Sequence, residues 1–168
     1  MKYNTNLQYK NSHIQSLISK ATDLPGRGDP VLYNILEKNA VVMDDTITTI
    51  GSYAFYSDPH INTASFPRCT TIASHAFNTC VNLTTAGFSK CTSIGSYAFQ
   101  NCHSLSAFYL SGSTVCQLAA SNVFASTPYT GYSAAFSGTP RIYVPASLIT
   151  SYKNATNWTY FSTMFTGI

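Results

Sequence analysis

Ile50-Gly51-Ser52-Tyr53-Ala54-Phe55 returns as Ile72-Ala73-Ser74-His75-Ala76-Phe77, and at the same interval again as Ile94-Gly95-Ser96-Tyr97-Ala98-Phe99. Other positions keep the same phase: Cys69 and Cys91; Cys80 and Cys102; Ile61, Leu83 and Leu105; Phe66, Phe88 and Leu110. A fixed period of about 22 residues is the signature of stacked repeats. Each unit reads as one turn of a coil. In Leu83-Thr84-Thr85-Ala86-Gly87-Phe88, the fourth and sixth residues follow strand alternation and face inward. Cys91, Ile94, Ala98, Phe99 and Cys102 continue the turn and fill the opposite side of the core. Gly51, Ala73 and Gly95 suit a tight bend close to the neighbouring coil. One unit cannot bury both of its sides, so neighbours must stack and share a core. Strands about 4.8 Å apart would then line one face as a narrow parallel sheet.

These residues resemble the bacterial leucine-rich repeats of the BspA, or treponemal, type. That pattern runs Leu-x-x-Leu-x-Leu-Pro and then Ile-x-x-x-Ala-Phe-x-x-Cys. Phe66-Pro67 matches the Leu-Pro step, and Ile94 through Cys102 matches the second half throughout. The match is specific from Ile47 to Leu110 and looser beyond. The chain departs from the pattern by placing Phe or Ala at several leucine positions, and Asp58 where the first unit should have Cys. The resemblance implies an α/β fold, a short right-handed solenoid with a concave parallel sheet on one face, capped at both ends. It also implies surface proteins that engage host matrix proteins or other bacteria.

Outward from the repeats, the period breaks after Leu110. Phe124 follows Phe99 at a longer interval than Phe99 follows Phe77, and Thr127-Pro128 opens a Gly/Ser/Tyr-rich loop running to Gly138. Arg141-Ile142-Tyr143-Val144-Pro145 reads as a final strand, with Ile142 and Val144 in the places of Ala64 and Phe66. Proline closes it because it has no N–H to give to a ladder. Ala146 to Lys153 suits a short helix with Leu148, Ile149 and Tyr152 on its apolar side. Trp158, Phe161 and Phe165 would fold back over the end of the core. At the other end, His13 to Ala21 reads as a short amphipathic stretch stopped by Pro25 and Gly26, and Val41 to Ile50 as an irregular first coil. The expected division is therefore 1–40 as a non-repeating segment with a short helix, 41–145 as the solenoid and 146–168 as a C-terminal cap. The first segment either caps the solenoid or joins it to a larger assembly.

Charge narrows the function classes. The 168 residues fit one domain, and only 9 % of them are charged, against roughly 25 % in ordinary soluble domains. With 12 Tyr and 10 Phe, disorder is excluded, since that needs high charge and few aromatics. All six acidic residues lie at or before Asp58, and from Pro59 onward the only charged side chains are Arg68, Lys90, Arg141 and Lys153. Carboxylates are the usual general bases and hard-metal ligands. Their absence over two thirds of the chain argues against glycosidase, phosphoryl-transfer or calcium chemistry there, and no enzyme is expected. No basic cluster points to nucleic acid, and no apolar run is long enough to insert directly into a membrane. The polar start, Met1 to Asn6, is not a signal peptide; a mature chain would lack one as well.

Cys69, Cys80, Cys91, Cys102 and Cys116 are spaced in repeat phase, which is not the spacing of a metal knuckle. They read as buried thiols in two internal columns, with a disulfide between adjacent coils, such as Cys80 to Cys102, left open. His75 takes the place of Tyr53 and Tyr97, an ordinary repeat position. No catalytic, cofactor-binding or metal-binding residue is expected. What remains is the outer face of the sheet: Asn62, Thr63 and Ser65; Thr84 and Thr85 beside Gly87; Ser106 and Tyr109 beside Ala107; and Tyr143. Short polar side chains ending in two tyrosines suit contact with a protein or glycan. The expectation is a recognition or adhesion module, extracellular on a bacterial surface or mounted on a phage virion. The alternative is a structural or assembly domain with no ligand of its own.

Overall fold

The computed structural model describes residues 40–43, 47–130 and 139–168. The short helix expected over His13 to Ala21 and most of the loop before Gly138 lie outside the described residues. Among the described residues, ten short strands follow the repeat: β1 (Ala40–Met43), β2 (Thr49–Ile50), β3 (Ile61–Ser65), β4 (Thr71–Ile72), β5 (Thr85–Gly87), β6 (Ser93–Ile94), β7 (Ala107–Tyr109), β8 (Gln117–Leu118), β9 (Arg141–Val144) and β10 (Phe165–Gly167). They form two sheets, β1-β3-β5-β7-β9-β10 and β2-β4-β6-β8. Every pairing is parallel.

The six-stranded sheet is the one expected along one face, and a second, four-stranded sheet accompanies it. The cause of the second lies in the repeat itself. Stacking at a constant period brings each backbone position close to its counterpart in the next coil, so any extended pair of residues can join a ladder. Thr49-Ile50, Thr71-Ile72 and Ser93-Ile94 do so, and β-branched residues favour it. Even the turns between the sheets are bonded coil to coil. The N–H groups of Phe55, Phe77 and Phe99 donate to the carbonyls of Ala76, Ala98 and Val123 at 2.8, 2.8 and 3.0 Å.

Inside, the repeated side chains form continuous columns. Phe55, Phe77, Phe99 and Phe124 stack at successive centroid distances of 4.8, 5.1 and 5.7 Å. Phe66 and Phe88 form a second stack at 6.1 Å, interleaved with the first. Each of these rings is buried, and burial stabilises by about 1.5–3 kcal/mol per large apolar side chain. The five cysteines are free and buried. The Cys80 and Cys102 thiols donate to the carbonyls of Phe55 and Phe77 at 2.9 and 3.1 Å, while Cys116 lies 3.5 Å from Cys91 in the other column. Burial, with Cys91 nearby, pushes the Cys69 thiol up to about 12, so this group sits as a neutral thiol rather than as a nucleophile.

Close coil spacing also fixes the backbone. A Cβ on Gly95 would come within 2.4 Å of the Ser74 nitrogen in the preceding coil, so only glycine fits. Two further positions in each coil take left-handed φ values without glycine: Tyr53, His75 and Tyr97 at 61°, 60° and 58°, then Ser57, Thr79 and Asn101 at 55°, 65° and 58°. This conformation is costly for residues with a Cβ. It is held by the N–H groups of Ser57, Thr79 and Asn101, which bond Asn78, Gln100 and Ala125 in the next coil.

Past Leu110 the coil goes on: β8 pairs with β6, and Phe124 stacks on Phe99. Extra residues bulge out between them and the core continues. One expectation about the C-terminal end is revised: Arg141–Val144 is not the last strand, since β10 pairs beyond it, Phe165 opposite Ile142. Between β9 and β10 a short helix, α1 (Ile149–Asn154), and the aromatic residues cover the last coil. They do so with polar atoms as well as apolar ones. Trp158 Nε1 donates to the Cys116 carbonyl at 2.6 Å, and Asn157 Nδ2 to the Leu118 carbonyl at 2.9 Å. The Tyr152 hydroxyl accepts from the Cys116 N–H at 3.1 Å. Side chains thus take up groups on β8 and its flank that another coil would otherwise have bonded.

Candidate functional site

The six-stranded sheet has two outward rows. Register aligns Thr63, Thr85, Ala107 and Arg141 in one, and Ser65, Gly87, Tyr109 and Tyr143 in the other. Ala64, Ala86, Phe108 and Ile142 alternate with them and are buried, which leaves the row residues half-buried. Tyr109 and Tyr143 stack at 4.4 Å with an interplanar angle of 8°. Partial desolvation, then the neighbouring Tyr143, raises the Tyr109 phenol above its ordinary value. Behind the stack, the buried Tyr129 hydroxyl donates to the Arg141 carbonyl at 3.1 Å and so braces β9 from the adjoining turn.

Of the eight residues expected on this surface, Thr63, Ser65, Thr85, Tyr109 and Tyr143 share the face. Asn62, Thr84 and Ser106 form a separate column at the corner where the chain enters the strands. There the Thr84 hydroxyl donates to the Asn62 carbonyl at 2.8 Å, and the Ser106 hydroxyl to the Thr84 carbonyl at 3.3 Å. The Asn62 Oδ1 is buried without a partner. These residues tie coil to coil. Gly87 and Ala107 belong to the face as its lowest points. Arg141 belongs too, and alternation around the inward Ile142 was the signal for it. Its guanidinium leans towards β10, reaching the Thr163 carbonyl at 3.4 Å.

A second surface stack escaped the reading of the sequence. Tyr53, His75 and Tyr97 lie face to face at 4.9 and 5.1 Å, and Tyr56 meets Tyr53 edge-on at 5.5 Å. Beneath them Asn78 is buried but fully engaged. Its Nδ2 donates to Gln100 Oε1 at 2.9 Å and lies 3.0 Å from His75 Nδ1, while its Oδ1 accepts from Thr79 at 2.7 Å. The signal was available, because all three rings occupy one repeat position.

Among the described residues, neither surface brings together an acid, a base and a nucleophile. Among the described residues no group of three or more His, Cys, Asp or Glu is placed to hold a metal ion. No helix among them is long and apolar enough to cross a membrane. What both surfaces offer is a rigid set of contacts on stacked coils. A family model for BspA-type leucine-rich repeat regions matches six copies across residues 28–135. The chain belongs to the BspA-type leucine-rich repeat family. Repeats of this family are generally non-enzymatic binding scaffolds, they typically contact proteins, and they are typically associated with bacterial surfaces. The α/β repeat solenoid implied by Ile94 through Cys102 is the fold of this chain. A search of curated proteins finds no match.

Proposed function

We propose that this BspA-type domain is a recognition or adhesion module that grips a protein or glycan through the outer face of its six-stranded sheet. It would be displayed on a bacterial surface or carried on a phage structure. Its solenoid, over 41–145, would stand between a cap over 1–40 and a second cap over 146–168. The observation that carries this reading is the Tyr109–Tyr143 stack. It is a large amphipathic contact built on two strands whose own inward residues are buried, so the platform needs no reordering on binding. No cofactor and no chemistry are required.

The test is a binding screen of the purified domain against host matrix proteins and glycans, followed by Tyr109→Ala with Tyr143→Ala. Loss of binding with a cooperative thermal unfolding transition retained supports the face; undiminished binding overturns it. One observation favours the structural or assembly reading for part of the surface. The Thr84 and Ser106 hydroxyls are spent on coil-to-coil bonds. Clean negatives across the screen would extend that reading to the whole domain.

A further inference from the structure

We infer that the outer face carries a slot for a single uncharged pyranose ring, with Gly87 as its floor and Tyr109 as its wall. This deepens the recognition reading above and rests on it. Parallel strands lie about 4.8 Å apart, and the Tyr109 and Tyr143 rings stack at 4.4 Å. The ring planes therefore stand upright across the direction of the ladder. One side of Tyr109 is covered by Tyr143, and its other side faces the position held by Gly87 on β5.

Gly87 is not there for the backbone. Its φ lies outside the left-handed region, and among the described residues a Cβ built on it would meet only the Tyr109 Cβ, at an ordinary 3.8 Å. Gly95 is the contrast, where the neighbouring coil forbids any side chain. Glycine weakens a strand interior and often marks close approach of a ligand. The equivalent positions in the other strands of this row are Met43, Ser65, Tyr109, Tyr143 and Thr166, none of them glycine. What glycine supplies at 87 is space beside an aromatic face.

The size and chemistry of that space fit a sugar. From Tyr109 to Ser65 is two strand spacings, about 9.6 Å, enough for one ring against the tyrosine with a hydroxyl beyond it. Ser65 lies across the slot, and Thr85 and Thr63 lie one row along. Their hydroxyls make no side-chain hydrogen bond among the described residues. A pyranose has an apolar C–H face for the aromatic wall and a rim of hydroxyls for serine and threonine, the mixture that orients small ligands in shaped sites. Charge complementarity sets the class. No acidic side chain exists from Pro59 onward. Arg141, the charged residue of the face, turns away to Thr163. Among the described residues the slot is neutral, and an uncharged ring loses least on entering it.

The experiment is a panel of neutral hexose and N-acetylhexosamine oligosaccharides, printed beside sialylated and uronate-containing ones and probed with the wild type, Gly87→Val, Tyr109→Leu and Tyr97→Ala. Hits are titrated in solution. Neutral sugars are expected to bind the wild type and Tyr97→Ala alike. Gly87→Val, whose β-branched side chain suits a strand, is expected to keep the wild-type unfolding temperature and to lose about tenfold or more in affinity. Tyr109→Leu tests the same wall should the valine disturb folding. Full sugar affinity in both variants, or binding confined to acidic sugars, overturns the slot. If a protein ligand is lost on Tyr109→Ala with Tyr143→Ala while no sugar binds, the slot fails and the recognition face stands. If nothing binds, both fail.

Discussion

Among the described residues, two aromatic stacks lie on the surface of this solenoid, and they differ in how the sequence makes them. Tyr53, His75 and Tyr97 recur at the repeat period on a left-handed backbone, over a satisfied Asn78–Gln100 network. Their neighbours in the stack are one another. Tyr109 and Tyr143 occur once, on strands separated by the long excursion after Leu110, and the stack ends beside an empty glycine position. A periodic feature is explained by stacking, whichever residue types it contains. An aperiodic feature on the same scaffold is not, and that is where a ligand is to be sought.

Variants can break this distinction, starting where the periodic side is strongest. Phe77→Ala removes a middle ring of the buried stack and is expected to cost about 3–5 kcal/mol, read from urea unfolding. Trp158→Phe keeps most of the apolar bulk but strands the Cys116 carbonyl. A loss of about 1–3 kcal/mol is expected, with amide exchange rising first in β8 rather than in β4. His75→Ala should cost about 1 kcal/mol through lost stacking and leave ligand binding untouched; a binding defect would place function on the periodic stack. Tyr109→Ala should cost about 1 kcal/mol through its lost stack on Tyr143 while abolishing binding.

The smallest effect concerns pH. Burial holds the Asp58 carboxyl above its ordinary value, against the opposing pull of the His60 N–H bonded to it at 2.8 Å. The folded state keeps this proton to higher pH than the unfolded chain does. Stability therefore falls as pH rises from the ordinary carboxylate value through the raised one, then levels off. Asp58→Asn should lack that step, which would appear in unfolding midpoints measured across the acid range.

The core was legible because stacking repeats the same requirement in every coil. Ile50, Ile72 and Ile94 could be placed inside without any structure, as could Phe55, Phe77 and Phe99. The second sheet was not legible, since a two-residue strand such as Thr71–Ile72 shows no alternation and is made a strand by its neighbours. The face was only half legible. Alternation places Thr85 and Tyr109 outward, but cannot reveal that the Thr84 hydroxyl turns back to Asn62. Nor does it show that Tyr143, well beyond Tyr109 along the chain, comes to rest upon it. The last strand, β10, was hidden for another reason: Phe165 reads equally well as a capping aromatic, and only its pairing with Ile142 makes it part of a sheet.

The most direct measurement is a backbone-amide map by NMR of the isotope-labelled domain, taken with and without the oligosaccharide or matrix protein that the screens select. Shift changes are expected to cluster at Thr85, Gly87, Tyr109 and Tyr143, with Tyr53, His75 and Tyr97 silent. Changes centred on the Tyr53–His75–Tyr97 stack, or spread along the corner column of Asn62, Thr84 and Ser106, would contradict the assignment of function to the aperiodic face.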